Sequence, residues 1–195
     1  MTGFLQGRAV MKSIEINADN GTIIMPNEYS VSPSLTQEAF RNGEMFRNAQ
    51  SRSAGTPPWI HYSFSGGSVS NRNLIVSLSF YDQMLVSTHM TVDFYPPGQK
   101  DWSDYSLDVE TTTKQCHDAL LEEILGKPTE SDRLAGVNLD AAHEPLARPL
   151  KWDFPWGTVR SSYDFKGGGT YVIVSYGNRQ EEATQEYWKK TSRKS

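Results

Sequence analysis

The chain has 195 residues, a net charge of −4 and an isoelectric point near 5.6. That length suits one domain with an ordinary apolar core, and the acidic balance argues against a nucleic-acid binder, which carries a basic field. One cysteine, Cys116, excludes an intrachain disulfide and a cysteine-based zinc site, and no stretch approaches the ~18 apolar residues that mark a membrane span.

The opening MTGFLQGRAVMKS lacks the apolar core of a signal peptide, so a cytoplasmic protein is expected, with residues 1–10 and 191–195 as flexible ends. IEINADNGTIIM (14–25) reads as two short strands around Asn20-Gly21, residues that tolerate positive φ. Residues 33–48 read as a short helix broken near Gly43, with Leu35, Ala39 and Phe40 at helical spacing. SRSAGTPP (51–58) reads as a loop.

Three segments then alternate apolar and polar residues: 59–64, 73–82 and 84–95. One face of each carries Ile60, Tyr62 and Phe64; Leu74, Val76, Leu78 and Phe80; and Met84, Val86, Thr88, Met90, Val92 and Phe94. The short Asp82-Gln83 connection makes the last two an antiparallel pair, and the three form a meander. Residues 103–125 predict the longest helix, with Val109, Thr113, Cys116, Leu120 and Ile124 as its apolar stripe. Asp101 or Ser103 caps its start, and Gly126 and Pro128 stop it. Residues 127–156 read as a polar connection with one helical turn around Leu139 to His143. Strands follow at 157–165 and 170–177, and a short helix at 180–190. The pattern predicts one α+β domain over 1–195: a single antiparallel sheet, meander plus C-terminal hairpin, with the long helix packed on one face.

The glycine run in DFKGGGTYVIVSYG (164–177) invites a phosphate-loop reading, but that loop needs its lysine after the glycines and a helix beyond it. Here Lys166 comes first and a β-branched strand follows, so a hairpin turn is predicted. His61, His89, His117 and His143 show no metal-ligand spacing, and no metal or cofactor is assigned. Cys116 and His117 are adjacent on a helix and point about 100° apart, so they make no nucleophile–base pair. His61, His89 and Asp93 could anchor a ligand on the polar side of the meander, although His89 and Asp93 lie ~13 Å apart along an ideal strand. No GxSxG elbow accompanies them.

Between residues 101 and 144 acids greatly outnumber bases, which gives the long helix an acidic outer face suited to a basic protein partner. Asp101, Asp104 and Asp108 are the candidate contacts on that face. KWDFPWG (151–157) places Trp152 and Trp156 in what reads as an aromatic loop; with Trp102 they either plug the sheet ends or anchor a partner.

The run Trp102, Ser103, Asp104, Tyr105, Glu110, His117, Asp118, Leu121, Leu125 and Gly126 continues with Trp156-Gly157, Val159, Tyr163-Asp164, Gly168-Gly169 and Ile173 to Tyr176. Over residues 74–177 this layout resembles small uncharacterised bacterial cytosolic proteins, some of them candidate toxin-immunity partners. The resemblance implies a binder that blocks a toxin without chemistry. Three functions stay open: a non-enzymatic protein-binding module; a small-molecule binder or hydrolase-like enzyme using the polar pocket on the sheet; and a homo-oligomeric structural protein pairing through a strand edge.

Overall fold

The computed structural model describes residues 13–47, 49–52, 55–95 and 105–192, the last three forming most of one seven-stranded antiparallel sheet. Its strands are β4 (Ala49–Arg52), β5 (Trp59–Val69), β6 (Arg72–Tyr81), β7 (Met84–Val92), β8 (Leu150–Phe154), β9 (Gly157–Asp164) and β10 (Gly169–Tyr176), in the spatial order β4-β5-β6-β7-β10-β9-β8. The chain runs β4 to β7 across one half, crosses the sheet in a long helix to the far edge, and returns β8 to β10 toward the middle. The halves join where Met90 pairs with Val172 and Ser87 with Ser175.

The expected single sheet needs correction. The Asn20-Gly21 segment does form a hairpin, but its strands β1 (Glu15–Ile16) and β2 (Ile23–Ile24) pair with β3 (Ser30–Val31) as a separate three-stranded sheet. These strands are too short to extend the large ladder. Their buried Ile14, Ile16, Ile23, Met25 and Val31 instead join the core with Phe64, Leu78 and Val174 of the large sheet. Gly21 has φ +72°, and a Cβ there would meet the Trp156 ring at 2.5 Å, so both backbone and space require glycine.

The meander forms where predicted, and β5 runs on to Val69. Ser70 and Asn71, with φ of 49° and 61°, make the two-residue turn that matches strand twist. The expected face of β7 is wrong at its start. Ser79 pairs with Ser87 but Phe80 with Leu85, a bulge that leaves one residue unopposed. Leu85 therefore turns into the main core, and Val86 turns to the other side against Tyr81 and Ala183.

The region 33–48 gives α1 (Gln37–Asn42), capped by the Thr36 hydroxyl, and α2 (Glu44–Arg47), separated at Gly43 as expected. The long helix α3 (Leu107–Leu125) crosses the apolar face over β7, β9 and β10. Its expected caps Asp101 and Ser103 lie outside the described residues. Its buried face departs from the expected stripe: Glu110, Lys114, His117 and Leu121 point inward beside Thr113, the one stripe residue that is fully buried, while Val109, Cys116, Leu120 and Ile124 are half-buried. The turn expected near 139–143 is a 3-10 turn at Glu144–Ala147. The predicted loops at 51–58 and 151–157 each hide an edge strand, β4 and β8. Finally α4 (Arg179–Ser192) packs on the opposite face, over β7 and β10. No helix among the described residues is long and apolar enough to cross a membrane.

Candidate functional site

The two faces of the large sheet differ in chemistry. Residues facing α3 are buried and mostly apolar, with Thr88, Ser161 and Thr170 among them; those facing away on β5 to β7 and β10 are mainly hydroxyl and imidazole groups. In register order one outer row reads Ser63, Ser77, His89, Ile173 and Arg160, and the next His61, Ser79, Ser87, Ser175 and Thr158. On the four adjoining strands β5, β6, β7 and β10, Arg72 at the start of β6 is the one charged residue, and the neighbouring β9 adds Arg160 to the outer row. A solvated sheet face usually alternates apolar-in with charged or polar-out, so an outer face with almost no charge stands apart. Its side chains are ordered by bonds to each other: His61 Nδ1 to Ser79 Oγ at 2.8 Å, and Ser63 Oγ to Ser77 Oγ at 2.6 Å.

The C-terminal helix closes over one end of this face and leaves a cleft of about 600 Å³. His61, Ser79, Ser87 and His89 form its floor, with Trp59, Tyr187 and Trp188 on the walls. Trp188 is 62% exposed although it is a large aromatic side chain. Burial lowers the pKa of His61; burial, and then the charge of His61, lowers that of His89. Both imidazoles are therefore neutral near pH 7. The sequence-selected trio is divided: His61 and His89 share the cleft, whereas Asp93 lies beyond the other end of β7. No carboxylate is among the cleft-lining residues described, so the His61–Ser79 pair has no acid to orient and charge-stabilise it as a triad does.

Asp93 lines a second, smaller pocket of about 190 Å³ with Tyr95, Glu110, Thr170 and Tyr171. Glu110 is 4% exposed and accepts a 2.9 Å hydrogen bond from the Tyr95 hydroxyl. Burial, followed by the bond to Glu110, pushes the Tyr95 phenol up to about 12. Tyr105 and Tyr163 are hydrogen-bonded through their hydroxyls, and burial and that bond raise the Tyr105 pKa. The glycine loop forms the rim. It is the predicted hairpin turn, with Gly168 at φ +64° and its N–H donating to the Asp164 carbonyl at 2.8 Å. The Lys166 N–H donates to the Asp164 carboxylate, so these two loop amides are taken by Asp164 itself rather than by a phosphate. Glu110 and Tyr95 are not among the expected site residues. The signal lay in the 4-3-4 spacing of Glu110, Lys114, His117 and Leu121, which marks one helix face.

Of the residues expected to meet a partner, Asp101, Trp102 and Asp104 lie outside the described residues. Asp108 is exposed; its carboxylate is 3.1 Å from His143 Nε2, and Asp140 is 2.7 Å from His143 Nδ1. Desolvation opposes protonation of His143, but the bonds to Asp108 and Asp140 prevail and raise its pKa. Asp108, Glu122 and Glu123 face solvent while Lys114, at 0% exposure, turns inward to Asp118 at 2.6 Å. The helix surface is thus more acidic than its composition. Trp152 sits on β8 rather than a loop, 2% exposed, with its indole N–H on the Gly126 carbonyl at 2.8 Å. Trp156 is half-buried, stacks on Phe154 and donates to the Ala18 carbonyl at 2.8 Å. Both rings close the sheet end.

Cys116 is half-buried, and burial raises its thiol pKa. Among the described residues no group of three or more His, Cys, Asp or Glu side chains could hold a metal ion. No family model and no curated protein matches the chain. Among solved structures, the chain is similar to one described as Rhs1-CT in complex with cognate immunity protein RhsI1, at 12% identity over 92% of this chain and 98% of that chain, with a TM-score of 0.45, a likeness that carries no functional argument by itself.

Proposed function

We propose that the protein is a non-enzymatic protein-binding module that docks its partner on the outer face of the large sheet. The observation that supports this is the near absence of charge across β5, β6, β7 and β10, on a face bounded by Trp59, Tyr187 and Trp188. The centres of protein interfaces are depleted in charge and enriched in aromatics, because desolvating a charge costs more than desolvating a hydroxyl. Serine, tyrosine and tryptophan also make adaptable contacts at low entropic cost. The acidic surface of α3 adds long-range attraction for a basic partner. An immunity-type inhibitor, which neutralises a toxin by covering it, is the form of binding that the sequence resemblance implies.

The test is capture with the tagged chain from its native cell at low and high salt, with bound proteins identified by mass. A single stoichiometric partner is expected. Reversing charge at Asp104 and Asp108 should slow its association several-fold at low salt, where the screening length is ~30 Å, and little at high salt, where it falls to ~3 Å. Return of the bait alone would count against the module.

The cleft favours a second reading, a small-molecule binder or hydrolase-like enzyme, because two neutral imidazoles sit beside Ser79 and Ser87 in about 600 Å³. In that case a metabolite panel yields a ligand that raises the melting temperature, and His89→Ala abolishes the rise. A panel without any shift would remove this reading.

A further inference from the structure

We propose that the pocket between the end of β7, the first turns of α3 and the β9–β10 loop binds a guanidinium or primary ammonium group. Its floor is the Glu110 carboxylate, 4% exposed. A carboxylate so removed from water is strongly disfavoured unless a cation or several donors meet it. Among the described residues one donor reaches it, the Tyr95 hydroxyl, and none of their ion pairs includes it. Its place in the first turn of α3 supplies part of the compensation through the helix dipole. Of the nearby cations, Lys114 pairs with Asp118 and Arg72 lies over the Phe94 ring at 5.3 Å, while Lys166 on the β9–β10 loop is exposed to solvent.

The remaining lining fits the same ligand. Asp93 adds a second carboxylate, with one oxygen taken by the Tyr95 N–H at 3.1 Å. Tyr95 and Tyr171 present aromatic rings, whose faces attract cations, and Thr170 a hydroxyl. At about 190 Å³ the pocket lies below the ~300 Å³ at which drug-sized sites begin, and suits a planar cation with part of an alkyl stem. A guanidinium can donate two parallel bonds to one carboxylate, which makes it the better match. The group comes either from an arginine side chain of a docked protein or from a free amine; the pocket does not depend on the docking proposed above.

The experiment is an amide NMR titration of the full chain with methylguanidinium, against potassium chloride at equal ionic strength. Saturable shifts are expected at Tyr95 and Gly168 to Tyr171 with methylguanidinium alone. Glu110→Gln, which keeps the shape and removes the charge, should weaken binding at least tenfold, and Asp93→Asn several-fold. Shifts that grow linearly and match potassium chloride, or binding unchanged in a folded Asp93→Asn chain and in Glu110→Gln, would overturn the site. An arginine-containing tripeptide that binds tenfold tighter than methylguanidinium assigns the source to protein; equal affinity assigns it to free amines. Saturation by methylguanidinium in a chain that captures no partner would keep this site and remove the docking module.

Discussion

His117 is buried to 1% exposure, and its Nε2 accepts the Val92 N–H at 3.0 Å. That bond places the ring proton on Nδ1, which has no partner among the described residues. Burial, and then the charge of Lys114, lower its pKa to about 3. The folded state thus favours the neutral ring, while the unfolded chain titrates near 6.5. The stability this contributes is complete above pH 6.5 and is lost as pH falls toward 3, by up to about 1.4 kcal/mol per unit. His61 and His89 are also lowered by burial and act in the same direction, so the assignment needs a variant. His117→Gln should flatten the urea midpoint between pH 6.5 and 4 relative to the parent chain; an unaltered slope would reject the assignment. The sequence could not reveal this burial, because a histidine on a mixed polar helix face reads the same whether it meets water or a strand end.

At the scale of elements, α3 shows where pattern reading succeeds and where it fails. Its existence and its stop at Gly126 were legible from length, propensity and the glycine that takes φ +75°. Its rotation was not, since apolar residues occupied one side and the buried polar set another. Long side chains decided the outcome: Lys114 buries its stem and turns its ammonium to Asp118. Asp118→Asn should therefore cost roughly 3 kcal/mol, by leaving a buried ammonium unpaired. Lys114→Met should cost less than half as much in the same denaturation experiment, because Asp118 keeps access to water. Equal losses would mean that packing, not charge, holds this turn. The strands β4 and β8 escaped notice for another reason. Edge strands are short, and Pro155 beside Trp152 to Trp156 imitates a loop, whereas the pairing of Trp152 with Val159 came from a register invisible locally. Of the candidate site, His61 and His89 were legible from alternation on the meander; Tyr95 with Glu110 was not, because it joins a strand end to a helix.

Across the whole molecule the fold separates two surfaces. One carries the core, α3 and the small sheet; the other is a broad, nearly uncharged plane closed at one end by α4. A plane of hydroxyl and imidazole groups desolvates at modest cost, so shape and aromatic anchors at its rim can hold a partner. A charge placed at its centre should be far more damaging than one at its edge. The most direct measurement is the affinity of the captured partner for the parent chain and for Ser77→Arg, whose site lies between Ser63 and His89 in the outer row. The account predicts a loss of at least tenfold with an unchanged melting temperature. Equal affinity in a folded Ser77→Arg chain would contradict docking on this face.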